Sequence, residues 1–339
     1  MFSKRMKQAT EHFFVTHWFA KPGWVSALLW PLSLLFRLLI IGRRFYYLKF
    51  PGASTRVAVP VIIVGNISVG GTGKTPLVIA MALYLKKKGF RPGIISRGYG
   101  ANVLKTIQVT DQHCALDVGD EVIEIFSRSE CPVVVSKKRP DAAKQLVRLG
   151  CNVIISDDGL QHYALARDIE IAVIDGDRRF GNGFCLPAGP LREPVSRLAS
   201  VDLIVCNGGV PDDHQYAMQF EPSAVINVAD PSKTMRLDEA QQHDWWACAG
   251  IGNPQRFFQT LKKQAILPVQ TVFYPDHHAF SKEDIDFARA QWVIMTGKDA
   301  VKCQAFADGR HWYLWVCAKL DPAFFERLLQ KIDSAQTRL

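Results

Sequence analysis

An apolar segment that runs into a glycine-rich turn ending in Lys-Thr constrains this 339-residue chain more than any other feature. The segment VAVPVIIVGN occupies residues 57–66, and the turn SVGGTGKT occupies residues 68–75. Glycines let backbone N–H groups converge on phosphate oxygens, Lys74 adds a positive charge, and the Thr75 hydroxyl is a ligand for Mg²⁺. The following LVIAMALYLKKKG is typical of a helix whose N-terminus would face the same anions. The pattern therefore predicts a strand, loop and helix that bind the phosphates of a nucleotide.

The turn departs at one position from the common phosphate-loop pattern G-x-x-x-x-G-K-[ST], because Ser68 stands where that pattern has glycine. The alternative is a glycine-rich turn with an incidental Lys-Thr pair. Because strand, turn and helix all occur in the required order, phosphate binding is the better interpretation. We therefore expect ATP contacts from the whole loop, which consists of Ser68, Val69, Gly70, Gly71, Thr72, Gly73, Lys74 and Thr75.

Apolar strand-like runs alternate with helical patterns beyond residue 57, as in VPVIIVG, RPGIIS, CPVVVS, CNVIIS, IEIAVID and VDLIVC. This alternation predicts an α/β fold of the P-loop NTPase type, with a mostly parallel sheet flanked by helices. From roughly residue 220 the pattern changes to that of a smaller α/β unit. We therefore predict a basic, hydrophobic N-terminal arm at 1–50, a P-loop domain at 51–220 and a smaller α/β domain at 221–339.

The positive charge of the chain is concentrated in its N-terminal arm. Residues 1–50 contain eight Lys/Arg residues and one acidic residue, so the arm carries +7 of the net charge of +9. The remainder is nearly neutral and has no RNA- or DNA-binding signature. We therefore expect no nucleic-acid partner.

The apolar stretch GWVSALLWPLSLLF at residues 23–36 predicts an amphipathic membrane helix in the arm. Fourteen residues are too few to span a bilayer, which needs about 20. On a helix, one side carries Ser26, Trp30, Ser33, Arg37 and Arg44, and the other carries Trp24, Leu28, Leu32, Leu35, Phe36 and Leu39. Such a helix with flanking Lys/Arg suits an anionic membrane surface, with the body on the cytoplasmic side. Packing on the protein's own core and a tilted span are the alternatives.

Two strands end in paired carboxylates that are suited to holding a metal ion or water beside Thr75. NVIISDDG ends in Asp157 and Asp158, and IEIAVIDGD ends in Asp175 and Asp177. The first is favoured because a polar Gln-His pair follows at once. The segment Gly-Asp-Glu at residues 119–121 begins a helix, and its carboxylates could act as a base or as metal ligands.

Other nucleotide-binding classes fit less well. GTP-switch proteins recognise the base with N/T-K-x-D, whereas residues 296–299 read TGKD, in which the Lys lies directly beside the Asp. Partitioning-type ATPases carry a signature Lys where this chain has Val69. A kinase or an uncommon ATPase remains.

Seven motifs, in order between residue 60 and about residue 302, resemble the tetraacyldisaccharide 4′-kinase family, the lipid A 4′-kinases of Gram-negative bacteria. They are VGNISVGGTGKTP, SRGYG, VGDE, SDDGLQHYAL, PAGPLREP, AGIGNPQRFF and YPDHHAF. The resemblance implies transfer of the ATP γ-phosphoryl group to the 4′-hydroxyl of a tetraacylated glucosamine disaccharide 1-phosphate, which gives the 1,4′-bisphosphate precursor of lipid A. It implies ATP and Mg²⁺ as cofactors and a peripheral position on the cytoplasmic face of the inner membrane. The alternative is a membrane-recruited P-loop ATPase with a regulatory or partner-binding role.

The resemblance also implies roles for individual residues. Asp120 is expected to be the base that takes the 4′-hydroxyl proton, and His277, which follows Asp276, to orient it. Lys74 is expected to neutralise the β/γ oxygens, and Arg192 to stabilise the transferring phosphate. This placement makes the smaller domain complete the active site.

The expected metal site consists of Thr75, Glu121, Asp157 and Asp158, supported by Gln161 and His162. The family usually has T-E-K-D where this chain has Thr-Gly-Lys-Asp, so no role is assigned to Gly297. No protein partner is predicted.

Overall fold

The computed structural model describes residues 16–101, 103–252, 254–275 and 278–338. Two predicted site residues, Asp276 and His277, lie outside the described residues. The described helices are α1 (Trp24–Lys49), α2 (Lys74–Lys87), α3 (Ala115–Val118), α4 (Asp120–Ser129), α5 (Arg139–Arg148), α6 (Leu237–Ala240), α7 (Pro254–Lys263), α8 (Lys282–Ile285), α9 (Gly297–Cys303) and α10 (Pro322–Gln336).

The strands form one mixed sheet within the described residues. They are β1 (Val61–Gly65), β2 (Pro92–Ser96), β3 (Ile107–Gln108), β4 (Val133–Val135), β5 (Val153–Ser156), β6 (Ile169–Asp175), β7 (Leu203–Asn207), β8 (Gln215–Asn227), β9 (Thr234–Met235), β10 (Trp245–Ala249), β11 (Gln270–Phe273), β12 (Trp292–Thr296) and β13 (His311–Leu320). The order across the sheet is β11-β10-β12-β13-β8-β7-β6-β1-β5-β2-β4-β3, with β9 paired to β8. The α/β prediction is confirmed, and each of the six predicted apolar runs contains a strand.

The strands around β1 are buried on both faces, which explains why they read as continuous apolar runs. All five residues of β1 are buried. Ile62 and Val64 pack into one core, and Val61 and Ile63 pack into another on the opposite face, because successive side chains of a strand alternate. Because a core packs on each face of these strands, their carboxyl ends hold the loops that follow them in fixed positions.

A long antiparallel pair, β8 and β13, joins two groups of parallel strands. β7 pairs in parallel with the start of β8, up to Met218. β12 pairs in parallel with the start of β13, up to Leu314, which lies opposite Val225 of β8. Because β8 and β13 run in opposite directions, the carboxyl ends of the two groups face each other across the ribbon between Met218 and Val225. We call the space between these edges the cleft.

The predicted domain boundary at residue 220 falls inside β8, which contributes to both groups of strands. The first group (β1–β7) comes from residues 61–207, and the second group (β10–β13) comes from residues 245–320. The division into an arm, a P-loop domain and a smaller α/β domain stays a prediction.

Helix α1 presents two faces, and its polar face lies on the protein body. Ser33 Oγ donates a hydrogen bond to the Cys185 carbonyl (2.7 Å), and Asn182 donates to Ser26 Oγ (3.1 Å). Arg44 donates to Ser200 Oγ at 2.8 Å. The large apolar side chains of the other face are exposed, among them Trp24, Leu28, Leu32, Leu35 and Leu39. The two sequence-predicted faces are therefore present, with the apolar face pointing away from the body.

Helix α1 is longer than the 14-residue apolar stretch at 23–36 that the sequence indicated was too short to span a bilayer. It runs for 26 residues and continues through Arg37 and Arg43. By length and composition it is the one helix among the described residues that is able to cross a membrane. The helix confirms the N-terminal apolar element, and its length makes a tilted span as feasible as a surface position.

Candidate active site

Residues 66–73, which join β1 to α2, contain most of the glycine-rich loop, and this segment is held from two sides. Asn207 Nδ2, at the end of β7, donates to the Thr72 carbonyl at 3.0 Å. On the other side, the Val69 N–H donates to the Pro190 carbonyl at 2.8 Å. Gly73 has φ of +90°, and a Cβ there would lie 2.4 Å from Asn207 Nδ2. This close approach requires glycine at the residue directly before α2.

Asp158 lies between two cations at the end of β5. Lys74 Nζ is 3.3 Å from Asp158 Oδ1, and Arg192 Nη1 is 3.1 Å from Asp158 Oδ2. Burial opposes ionisation of this carboxyl, but the charges of Lys74 and Arg192 outweigh it and lower its pKa to about 2. Asp158 is therefore ionised and holds both cations near the start of α2. The structure thus brings together three residues that the sequence assigned to the phosphate site.

Asp157, directly before it, is in the opposite electrostatic situation. Burial, with a further contribution from the charge of Glu121, raises the pKa of Asp157 to about 7. Its Oδ1 atom is buried without a hydrogen-bond partner among the described residues. An unpartnered carboxylate oxygen near a second carboxylate has chemistry that a divalent cation satisfies, since Mg²⁺ prefers oxygen ligands.

The carboxylates of the predicted metal site are near one another but do not form a closed centre. Among the described residues, no group of three His, Cys, Asp or Glu side chains is gathered closely enough to hold a metal ion. Asp158 is instead paired with Lys74 and Arg192. A site of this kind suits an ion that arrives with the phosphates of a nucleotide and takes only one or two carboxylates from the protein.

Asp120 is buried at the first position of α4 and faces the second group of strands. Its Oδ2 atom is 3.7 Å from Lys302 Nζ and 4.0 Å from Lys298 Nζ, and both lysines belong to α9. Lys298 Nζ is also 3.8 Å from Glu121 Oε1. These ion pairs connect the two carboxyl edges across the cleft. Sequence reasoning missed both lysines, although their i, i+4 spacing directly after β12 places them on one side of a helix.

Gln161 supports the start of the loop. Its Nε2 atom donates to the Asn66 carbonyl (3.1 Å) and to Glu193 Oε1 (2.8 Å). Glu193 is buried and pairs with Arg197 at 3.0 Å. Sequence reasoning did not single out this buried pair, and of its two members only Glu193 lies in the PAGPLREP motif.

His162 is held neutral at physiological pH. Burial, together with the charge of Arg139 and of other nearby arginines, lowers the pKa of His162 to about 4. Arg139 is itself buried, and its Nη2 atom donates to the Asp157 carbonyl at 2.7 Å. His162 therefore enters the site as an uncharged imidazole that can donate or accept a hydrogen bond.

Comparison with known proteins places these features in a family. The sequence model described as tetraacyldisaccharide-1-P 4′-kinase matches residues 25–333. The chain belongs to the tetraacyldisaccharide 4′-kinase family. The match covers the apolar helix α1, the glycine-rich loop and both groups of strands.

Relatives and a solved structure agree with this assignment. The tetraacyldisaccharide 4′-kinase of Methylobacillus flagellatus is 47% identical over 329 residues, which cover 96% of this chain and 98% of the relative. The tetraacyldisaccharide 4′-kinase of Aeromonas salmonicida is 48% identical over 326 residues, which cover 94% of this chain and 96% of the relative. The crystal structure of LpxK from Aquifex aeolicus in complex with ATP has a TM-score of 0.78 at 27% identity and covers 91% of this chain and 99% of that chain.

These findings confirm the prediction of a tetraacyldisaccharide 4′-kinase, an ATP-dependent kinase of lipid A biosynthesis. The alternative of a membrane-recruited regulatory ATPase is not favoured, because the full-length relatives carry the kinase name. The resemblance rested on short motifs, and the match now extends over nearly the whole chain.

Proposed function

We propose that the cleft transfers the γ-phosphoryl group of ATP to the 4′-hydroxyl of tetraacyldisaccharide 1-phosphate, with the glycine-rich loop as the phosphate site and Asp120 as the base. One observation carries this assignment of roles. A buried carboxylate at the start of α4 shares the carboxyl edge of the first group with a loop whose lysine is already paired to an aspartate. Phosphoryl transfer needs little more than positioned charges and one proton acceptor.

The proposed reaction uses each group once. Asp120 takes the proton of the 4′-hydroxyl as that oxygen attacks the γ-phosphorus. The bond between the γ-phosphorus and the β–γ bridging oxygen breaks, and ADP leaves with the electron pair. Lys74 exchanges its contact with Asp158 for phosphate oxygens, and Arg192, held by the same carboxylate, stabilises the charge on the transferred group. The product is the 1,4′-bisphosphate.

The assignment of His277 as the residue that orients Asp120 rests on the family resemblance, as does the supporting role of Asp276. Lys298 and Lys302 come from the second group and flank the same carboxylate. Approach of the two groups therefore assembles the surroundings of the proposed base.

The residues fit Mg²⁺ as the metal. Asp157, Asp158, Glu121 and the Thr75 hydroxyl offer the oxygen ligands that this ion takes, and the Oδ1 atom of Asp157 has no other partner among the described residues. Bound with ATP, the ion would neutralise charge on the phosphate oxygens.

We also propose that the apolar face of α1 binds the cytoplasmic side of the inner membrane. The exposed face of α1 consists of several large apolar side chains. The basic residues of the arm suit anionic lipid headgroups. A lipid substrate that cannot leave the bilayer requires an enzyme at its surface. The polar contacts of α1 with Cys185, Asn182 and Ser200 hold the body against the same helix.

The test is a product assay with purified full-length protein, ATP, Mg²⁺ and tetraacyldisaccharide 1-phosphate in detergent. Mass spectrometry is expected to show a gain of one phosphate, and fragmentation is expected to place it at the 4′ position. Asp120→Asn is expected to lower kcat by a factor of about 10² to 10⁴ with the Kd for ATP retained, because it removes the proton acceptor. The exposed Asp111→Asn is the matched control and should keep full activity. An Asp120→Asn variant with wild-type turnover would remove Asp120 from the reaction.

A further inference from the structure

Helix α4 has a charged pair on the side that carries Asp120. Glu124 and Arg128 lie four and eight residues after Asp120, and residues at this spacing share one side of a helix. Arg128 Nη1 donates a hydrogen bond to Glu124 Oε1 at 2.6 Å. The Arg128 and Glu124 side chains are only 10% and 12% exposed, so the two charges are largely withdrawn from water. A buried pair of this kind needs further partners for its remaining polar atoms.

Arg128 finds those partners on β13, which belongs to the second group of strands. Its Nη2 atom donates to the Val316 carbonyl at 2.5 Å. Its guanidinium carbon lies 4.0 Å from the centre of the Trp315 ring, a distance at which the face of the ring attracts a cation. The pairing of β13 with β8 shifts register between these two residues. Arg128 therefore binds the long antiparallel pair at the point where its ladder is irregular.

Glu124 lies against the start of α9, the helix that supplies Lys298 and Lys302. Its Oε1 atom is 4.0 Å from the position that a Cβ on Gly297 would occupy, and Gly297 is the first residue of α9. Burial raises the pKa of Glu124, and the charges of Arg128 and Lys298 oppose that shift. The middle of α4 is thus packed against the same helix whose lysines flank the proposed base.

Helix α4 is therefore joined to the second group at both of its ends. At its first turn, Asp120 Oδ2 is 3.7 Å from Lys302 Nζ. At its last turn, about 12 Å further along the helix axis, Arg128 binds Val316 and Trp315. One contact would leave the helix free to rotate about that point, whereas two contacts this far apart fix the direction of its axis. The direction of α4 decides where the Asp120 carboxylate lies relative to α9.

We propose that Arg128 is a positioning residue for phosphoryl transfer, which fixes the last turn of α4 on β13 so that Asp120 meets Lys302; this inference rests on the proposed function. Arginine suits this place because its planar fork binds a carboxylate, a carbonyl and an aromatic face at once, whereas lysine has a single ammonium. Arg128 lies at the opposite end of α4 from the base and acts through the position of Asp120. Its loss should therefore appear in turnover and not in the binding of ATP.

The test is a double-mutant cycle between Arg128 and Lys302. Steady-state kinetics of 4′-phosphorylation and titration with ATP are measured for the wild type, Arg128→Met, Lys302→Met and the double variant. We expect Arg128→Met to lower kcat about tenfold and to leave the Kd for ATP unchanged. The double variant should lose about tenfold and not about a hundredfold, because both changes disturb the same contact with Asp120 and their effects do not add.

Two further variants control for effects on the fold. Arg128→Lys keeps a charge beside Glu124 but has no fork, so it should lower kcat by about threefold or more. It keeps the test decisive if Arg128→Met does not fold, which thermal melting identifies. Arg148→Met changes an exposed arginine that also lies in the last turn of a helix, α5, and should match the wild type.

Wild-type kcat in both Arg128 variants would overturn the positioning role. A loss of about a hundredfold in the double variant would also overturn it, since the two residues would then act independently. A Kd for ATP that rises as much as kcat falls would have the same consequence, because the damage would extend to the loop. Asp120→Asn separates these results from failure of the proposed function. If Asp120→Asn keeps wild-type turnover, the base is wrongly assigned and the positioning role falls with it; if only the Arg128 variants keep wild-type turnover, the positioning role alone is wrong.

Discussion

Lys302 Nζ lies 3.7 Å from Asp120 Oδ2, so a cation on the second group of strands contacts a buried carboxylate on the first. The same ammonium is 3.3 Å from Asp299 Oδ1. Asp299 is fully buried and accepts hydrogen bonds from the Gly250 N–H and the Thr296 hydroxyl. Asp299, in the same group of strands, therefore holds the Lys302 ammonium in place while that ammonium contacts Asp120 across the cleft.

Replacing Lys302 tests whether this contact matters for turnover. Lys302→Met is expected to lower kcat about tenfold and to leave the Kd for ATP unchanged, because it removes a charged contact beside the proposed base but none beside the loop. Steady-state kinetics and titration with ATP measure the two quantities. The control is Lys282→Met, an exposed lysine of the same group. Equal kcat values for Lys302→Met and Lys282→Met would show that the contact has no part in catalysis.

The glycine-rich loop contains its own matched pair of variants. Gly73→Ala is expected to abolish measurable ATP binding, because its Cβ would lie 2.4 Å from Asn207 Nδ2 and 2.9 Å from Phe220 Cζ at φ of +90°. Gly71→Ala meets nothing within 4 Å and should bind ATP nearly as well as the wild type. Titration with ATP distinguishes them. Comparable affinities in the two variants would contradict the described geometry of the loop.

The raised pKa of Asp157 predicts a pH dependence of stability without metal. Its pKa is about 7 in the folded protein and about 3.9 in an unfolded chain, so the folded state holds the proton more tightly. The free energy of unfolding should therefore fall as the pH rises from about 4 to about 7, by at most about 4 kcal/mol from this group.

Asp157→Asn removes this contribution. Relative to the wild type, its melting temperature in EDTA is expected to increase between pH 5 and pH 8, since the variant has no proton to lose at that position. Differential scanning calorimetry at several pH values measures the difference. Asp333→Asn, which changes an exposed carboxylate, is the control and should parallel the wild type. A constant difference between Asp157→Asn and the wild type across this range would contradict the assignment.

The apolar face of α1 predicts membrane binding that charge can disrupt. Leu28 and Leu35 are 70% and 56% exposed, so replacing both with Asp leaves the polar contacts with the body in place. The double variant is expected to lose at least tenfold in binding to anionic vesicles, because it removes apolar area that would enter the lipid. Co-sedimentation measures the bound fraction. Val210→Asp, at a 77% exposed site away from α1, should bind as the wild type does, and equal binding of all three proteins would exclude this face as the anchor.

Much of the first group of strands was predictable, because its signals are local. A run such as VIIVG is buried on both faces and therefore has no polar interruptions, and helix α4 begins at Asp120, within the Gly-Asp-Glu segment that predicted a helix start. The glycine-rich loop was predictable for the same reason, since its glycines and the Lys-Thr pair are neighbours in the chain.

The partners of Asp120 were not predictable in this way. Lys298 and Lys302 are 178 and 182 residues away from Asp120 in the chain and reach it only because β12 and β13 run back towards the first group. The expectation that Gln161 lies near metal or nucleotide stays a prediction, and the sequence did not indicate that its Nε2 atom binds Asn66 and Glu193. The polarity of a residue indicates that it needs a partner, but the packing of distant segments decides which partner it has.

The amino-acid sequence by itself determined the strand, glycine turn and helix around Lys74, the apolar strands beside them and the two faces of α1. These features follow from side chains that are close along the chain and act through backbone geometry and burial. Only the tertiary structure decided that β8 and β13 turn the two carboxyl edges towards each other, that α1 rests on the body with its polar face, and that Arg128 stands over Trp315. Those relationships depend on long-range strand pairing and close packing, whose energy comes from contacts between segments that no local pattern brings together.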